Sequence, residues 1–127
     1  MKKFLFILSL LVSLGYSNLS EQEYKEIKET LSLLESQGNY KAQNSRGFLG
    51  KYQFGAATLV DVGLIKKDKY QESTIVVNKK TIWKKGLTQQ KFLNDPNNWI
   101  IKGGKNTFLT NNNIQEKAMD KLQIERR

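Results

Sequence analysis

No cysteine occurs among the 127 residues of this chain, and the absence constrains the fold strongly because the chain opens like an exported one. Lys2 and Lys3 precede a run from Phe4 to Leu14 that is apolar except for Ser9 and Ser13. Gly15 and Ser17 then supply small residues at the −3 and −1 positions of a cut after Ser17, completing the build of a secretory signal peptide. The run falls short of the roughly 20 apolar residues that a helix needs to cross a bilayer, which favours cleavage over a membrane anchor. Residues 1–17 are read as the signal peptide and 18–127 as one domain in the periplasm or outside the cell. Such a domain has no disulfide to lean on and must be held by its core alone.

Histidine is also absent. Together the two absences remove Cys nucleophiles, Ser-His-Asp triads and ordinary zinc sites. Neither a metal nor a cofactor is expected, and any chemistry falls to carboxylates, lysines, hydroxyls or tyrosines. Without Lys2 and Lys3 the chain keeps 19 basic against 12 acidic residues, a net charge of +7. That balance suits the anionic bacterial envelope. Nucleic acid is the other usual partner of such charge, but the basic residues are scattered in short pairs such as Lys66-Lys67, Lys79-Lys80 and Lys84-Lys85. They read as solvated surface, and no nucleic-acid partner is expected.

The first helix is announced by a capping box, Ser20 with Glu23, and by a hydrophobic staple of Leu19 on Tyr24. Tyr24, Ile27, Leu31 and Leu34 follow at spacings of three and four and form one apolar stripe. Gln37-Gly38-Asn39 ends the helix near Ser36. Residues 37–55 read as a structured loop with a short β-turn, and residues 56–62 as a short helix closed by Gly63. Thr74 to Val77 suggest a strand or hairpin. Thr88 to Leu93 suggest a short helix, residues 99–104 a turn, and Asn113 to Glu125 a last helix with Ile114, Ala118 and Leu122 on one face.

Glu35 is the first residue with chemical promise. At about 100° per residue it borders the apolar stripe, one turn after Leu31. Apolar surroundings and the negative end of the helix dipole both disfavour its ionised form. A carboxyl group still protonated near neutral pH is what a general acid requires. On the wheel alone, a solvated glutamate at a fraying helix end explains it better.

The residues that follow shift that balance. Leu34-Glu35-Ser36-Gln37-Gly38-Asn39-Tyr40, then Asn44, Gly47 and Gly50-Lys51-Tyr52-Gln53-Phe54-Gly55, resemble the lysozyme-like superfamily. The nearest likeness is to lytic transglycosylases and phage-type muramidase domains. The resemblance implies a mainly α (α+β) fold, a lysozyme-like helical domain with a short loop or β-turn region after the catalytic helix. It implies Glu35 as the acid, Ser36 as its neighbour and Gln53 as a glutamine facing the cleft. Tyr40 and Tyr52 become candidates for substrate binding by sugar stacking, although aromatics at such positions commonly pack in a core. The implied partner is the glycan strand of peptidoglycan, with an envelope or secretion-system protein as a further one, and with no stable membrane insertion after signal cleavage.

A two-carboxylate hydrolase needs a second acid about 5 to 10 Å from the first. Asp61, Asp68 and Glu72 carry no recognisable motif. A single acid resembles the lytic transglycosylase pattern, in which one glutamate serves as acid and then base while the sugar's own 6-hydroxyl closes an anhydro ring. Muramidase hydrolysis is the alternative. The likeness covers residues 21–63 well and 83–122 loosely, and nothing beyond. A domain incomplete at its C-terminus, binding glycan or protein without cleaving, is therefore the other expectation.

Overall fold

The computed structural model of the protein describes residues 20–125, so the expected signal peptide, its expected cleavage site and Leu19 of the expected staple lie outside the described residues. The domain is small and mostly helical with one two-stranded sheet, an α or α+β architecture. Helix α1 (Glu21–Ser36) starts at the expected capping box: the Ser20 hydroxyl accepts from the Glu23 amide, and the Ser20 amide donates to the Glu23 carboxylate, both at 3.1 Å. It stops where Gln37 turns left-handed at φ 57°.

The buried face of α1 is rotated from the expected stripe. Leu31, Ser32 and Glu35 are buried, whereas Leu34 is 43% exposed. Leu34 therefore does not belong to the inward face, and Glu35 lies within that face instead of bordering it. The polar residues decide the rotation: Ser32 satisfies its hydroxyl inside the helix by donating to the Glu29 carbonyl at 2.8 Å, so its burial costs little.

After α1 the chain folds through residues 37–55 as close-packed turns. Isolated antiparallel bridges join Gln43 to Leu49 and Leu49 to Phe54. Helix α2 (Ala56–Asp61) follows and is closed by Gly63 at φ 80°. Helix α3 (Lys67–Ser73) was not anticipated, because Tyr70 is its one large apolar residue and no stripe exists to be read. Strands β1 (Thr74–Val77) and β2 (Lys80–Trp83) form an antiparallel hairpin, pairing Ile75 with Ile82 and Val77 with Lys80. A lone two-stranded hairpin is marginal in water. Here Trp83 anchors it, with its ring 5.7 Å from Tyr70 and 5.2 Å from Phe92.

Helix α4 (Gln89–Asn94) has Thr88 as its N-cap, and a 3-10 turn at Pro96–Asn98 leads toward α5 (Gly104–Thr110) and α6 (Asn112–Glu125). Sequence patterning finds no element at α5, since Gly103-Gly104 reads as a break. Phe108 and Leu109 nevertheless bury themselves from it. On α6, Ala118 and Leu122 are buried and Ile114 packs against the core, as expected. The core runs from Leu31 through Leu49, Tyr52, Phe54 and Leu59 to Trp99, Phe108 and Met119. Among the described residues no helix is long and apolar enough to cross a membrane.

Candidate active site

The end of α1 and the turn at residues 49–54 are tied together by one side chain. The Ser36 hydroxyl donates to the Lys51 carbonyl at 2.6 Å and accepts from the Asn39 amide at 3.1 Å. The turn is closed by paired backbone bonds between Leu49 and Phe54, at 3.0 and 2.8 Å. Gly50 sits in it at φ 84°, and a Cβ there would collide with the Gln115 side chain. Glycine is required here for two reasons, a left-handed backbone and a close neighbour. Gly55 has extended backbone at φ −96°, so its role differs: a Cβ would come within 2.7 Å of the Phe48 ring.

Glu35 is 5% exposed and Gln53 2%. Burial pushes the Glu35 carboxyl up to about 7. Taking the ionised form out of water is the main cause, as apolar surroundings always disfavour charge. Gln53 adopts φ 56°, a left-handed conformation that a non-glycine residue holds only when its surroundings compel it. Its amide nitrogen donates to the Gly50 carbonyl at 3.0 Å. Among the described residues, two buried side-chain oxygens have no hydrogen-bond partner: Oε1 of Glu35 and Oε1 of Gln53. Each is a polar atom withdrawn from water without compensation, the kind of cost that folds concentrate at functional sites.

Tyr40 and Tyr52 lie elsewhere in the arrangement. Both hydroxyls donate to Glu116 on α6, at 2.6 and 2.8 Å. Lys51 donates to the same carboxylate at 2.9 Å, and Lys28 on α1 pairs with it at 3.1 Å. Burial alone would raise Glu116, but the hydrogen bonds from Tyr40, Lys51, Tyr52 and Lys28 outweigh it and hold the group at about 2. Burial and donation to Glu116 together push the Tyr52 hydroxyl up. The Tyr52 ring is fully enclosed in the core, edge-on to Phe54 with centroids 6.1 Å apart. Tyr40 is half-buried, with the Lys51 ammonium 4.9 Å from its ring centroid.

Sequence reasoning missed Glu116 and its neighbour Gln115. Gln115 is completely buried and satisfied: its Nε2 donates to the Tyr40 and Phe108 carbonyls at 2.8 and 2.9 Å, and its Oε1 accepts from the Lys51 amide at 2.8 Å. In sequence both look like ordinary polar positions on an amphipathic helix, and their partners lie far away along the chain. Asp61, Asp68 and Glu72 are all exposed. Among the described residues no group of three acidic, His or Cys side chains could hold a metal. Comparison of the chain with family models, with curated proteins and with solved structures found no match.

Proposed function

We propose that this protein cleaves the glycan strands of bacterial peptidoglycan, between N-acetylmuramic acid and N-acetylglucosamine, with Glu35 as general acid on a lysozyme-like domain. The observation that carries the reading is the buried Glu35 carboxyl, held near 7 by burial with Oε1 unpartnered. A carboxylic acid of that strength is about half protonated at neutral pH and can give its proton to a glycosidic oxygen. Ser36 fixes the end of its helix, and Gln53 offers an amide oxygen without a partner for the N-acetyl or hydroxyl groups of a sugar.

The second carboxylate favours the lytic transglycosylase route over hydrolysis. Glu116 is ionised, but both of its oxygens are engaged by lysine and tyrosine donors, which leaves it poorly suited to attack a sugar or activate water. The exposed Asp61, Asp68 and Glu72 lack the enclosure that a catalytic pair exploits. With one acid, Glu35 protonates the leaving oxygen and then takes the proton of the substrate's 6-hydroxyl as the anhydro ring closes. The setting for this work is periplasmic or secreted, as the N-terminal residues suggest.

The test is release of soluble muropeptides from sacculi by residues 18–127. Mass spectrometry should find anhydro ends, whereas reducing ends would indicate muramidase hydrolysis. Glu35→Gln should lower the rate by about 10² to 10⁴, the usual worth of general acid catalysis. Equal rates for wild type and Glu35→Gln would remove the enzymatic reading and leave a glycan-binding or protein-binding envelope protein.

A further inference from the structure

Among the described residues, the β1–β2 hairpin leaves one apolar face largely exposed. Strand register places Ile75, Val77, Lys80 and Ile82 together on that face. Ile75, Val77 and Ile82 are 44%, 43% and 44% exposed; Val76, near the tip on the opposite face, is 71% exposed. The opposite face carries Trp83, which holds the hairpin to Tyr70 and Phe92. Exposed branched aliphatics clustered on a two-stranded ribbon are unusual on a surface that meets only water.

The charge around them is one-sided. From Thr74 to Asn94 there is no acidic residue, while lysines stand at 79, 80, 84, 85 and 91. Lys79, Lys80, Lys84 and Lys85 are all exposed. The tip itself is Asn78-Lys79, with φ of 52° and 67°, the paired left-handed conformation of a tight two-residue hairpin turn. Apolar side chains flanked by lysines are therefore presented on a short, rigid projection.

We infer that this hairpin docks on an anionic phospholipid surface, its aliphatic residues entering the headgroup boundary and its lysines pairing with the lipid phosphates. The charge complementarity selects the partner. A second copy of the chain would bring like charges together at the same edge. An acidic polypeptide or glycan would satisfy the lysines but leave the aliphatic residues in water. An anionic bilayer satisfies both at once. Docking does not depend on glycan cleavage, and Glu35→Gln should bind lipid as wild type does.

Co-sedimentation with vesicles tests this. Residues 18–127 hold every residue of the described core, so they are the unit to use, and the apolar N-terminal run is then absent as a rival anchor. Binding is expected to vesicles of phosphatidylglycerol mixed with phosphatidylcholine, and to weaken sharply with salt and with phosphatidylcholine alone. Lys80→Gln should weaken it about fivefold, and Val77→Ser about tenfold, both at exposed positions on that face. Failure to bind, or equal binding to neutral vesicles, would overturn the inference. Loss with Lys80→Gln but not with Val77→Ser would point to an acidic macromolecule instead and overturn it too. A hairpin-dependent dimer in light scattering that excludes vesicle binding would do the same.

Discussion

The Ser36 hydroxyl holds the Lys51 carbonyl at 2.6 Å, and through it the last turn of α1 is fixed to the turn that presents Gln53. The residue after the candidate acid thus acts as a clamp between two segments. Ser36→Ala removes that donor and leaves the Lys51 carbonyl without it, while the Asn39 amide keeps its bond to the Ser36 carbonyl at 3.1 Å. A loss of about 2 kcal/mol in denaturant unfolding is expected. If the clamp also sets the distance between Glu35 and the turn, muropeptide release should fall further than the loss of folded protein explains.

The acidity of Glu35 should be visible in kinetics. With its carboxyl at about 7, the acid form is present below neutrality and disappears above it. The rate of sacculus cleavage, measured as kcat/KM, should therefore decline on an alkaline limb centred near pH 7. A rate that stays flat from pH 6 to pH 9 would be incompatible with Glu35 as the proton donor.

The two carboxylates also oppose one another in stability. Glu35 is raised from 4.5 to about 7 on folding, so the folded state binds the extra proton between those values. Stability falls as pH rises through that window, by on the order of 3 kcal/mol in total. Glu116 is lowered from 4.5 to about 2, so the unfolded state binds the extra proton and stability falls as pH drops from 4.5 toward 2. Unfolding free energy should peak near pH 4 to 5, unusually acidic against the common pH 5 to 8. Glu35→Gln should abolish the decline above pH 5 while sparing the acid limb.

Two glycines separate backbone strain from collision. Gly38 at φ 77° has nothing near the place of a Cβ, whereas at Gly50, φ 84°, a Cβ would strike Gln115. Gly38→Ala should cost about 1 kcal/mol, the share of a left-handed alanine. Gly50→Ala should cost about 3 kcal/mol, because the Gln115 amide must also give up hydrogen bonds worth about 1 kcal/mol each. Chemical denaturation of both variants would reveal the difference.

Local signals made α1 readable: its cap and its left-handed stop involve residues no more than six apart. Glu35 could be singled out for the same reason, although the wheel placed the inward face about one residue from where Ser32 and Glu35 set it. The hairpin was half-visible. Thr74 to Val77 read as a strand, but its turn is Asn78-Lys79 and not the Asn-Gly that announces such turns, and Lys79 accepts φ 67° without sequence warning. Glu116 and Gln115 stayed invisible, because what distinguishes them is contact with residues 28, 40, 51 and 52. No periodicity encodes a meeting of that kind. Tyr40 and Tyr52 were noticed as aromatics, while the hydroxyls that tie them to α6 depend on the same distant carboxylate.

The reach of α6 has a consequence for timing. Gln115 and Glu116 hold Tyr40, Lys51 and Tyr52 across 64 to 76 residues of chain. Contacts so distant in sequence form slowly and late. Helix α1 can coil as soon as it leaves the ribosome, but the turn bearing Gln53 gains its lock only after residue 116 has emerged. Glu35 thus waits for nearly the whole domain to arrive before that turn is set. Under the proposed function, the chain would cut nothing until helix α6 is made.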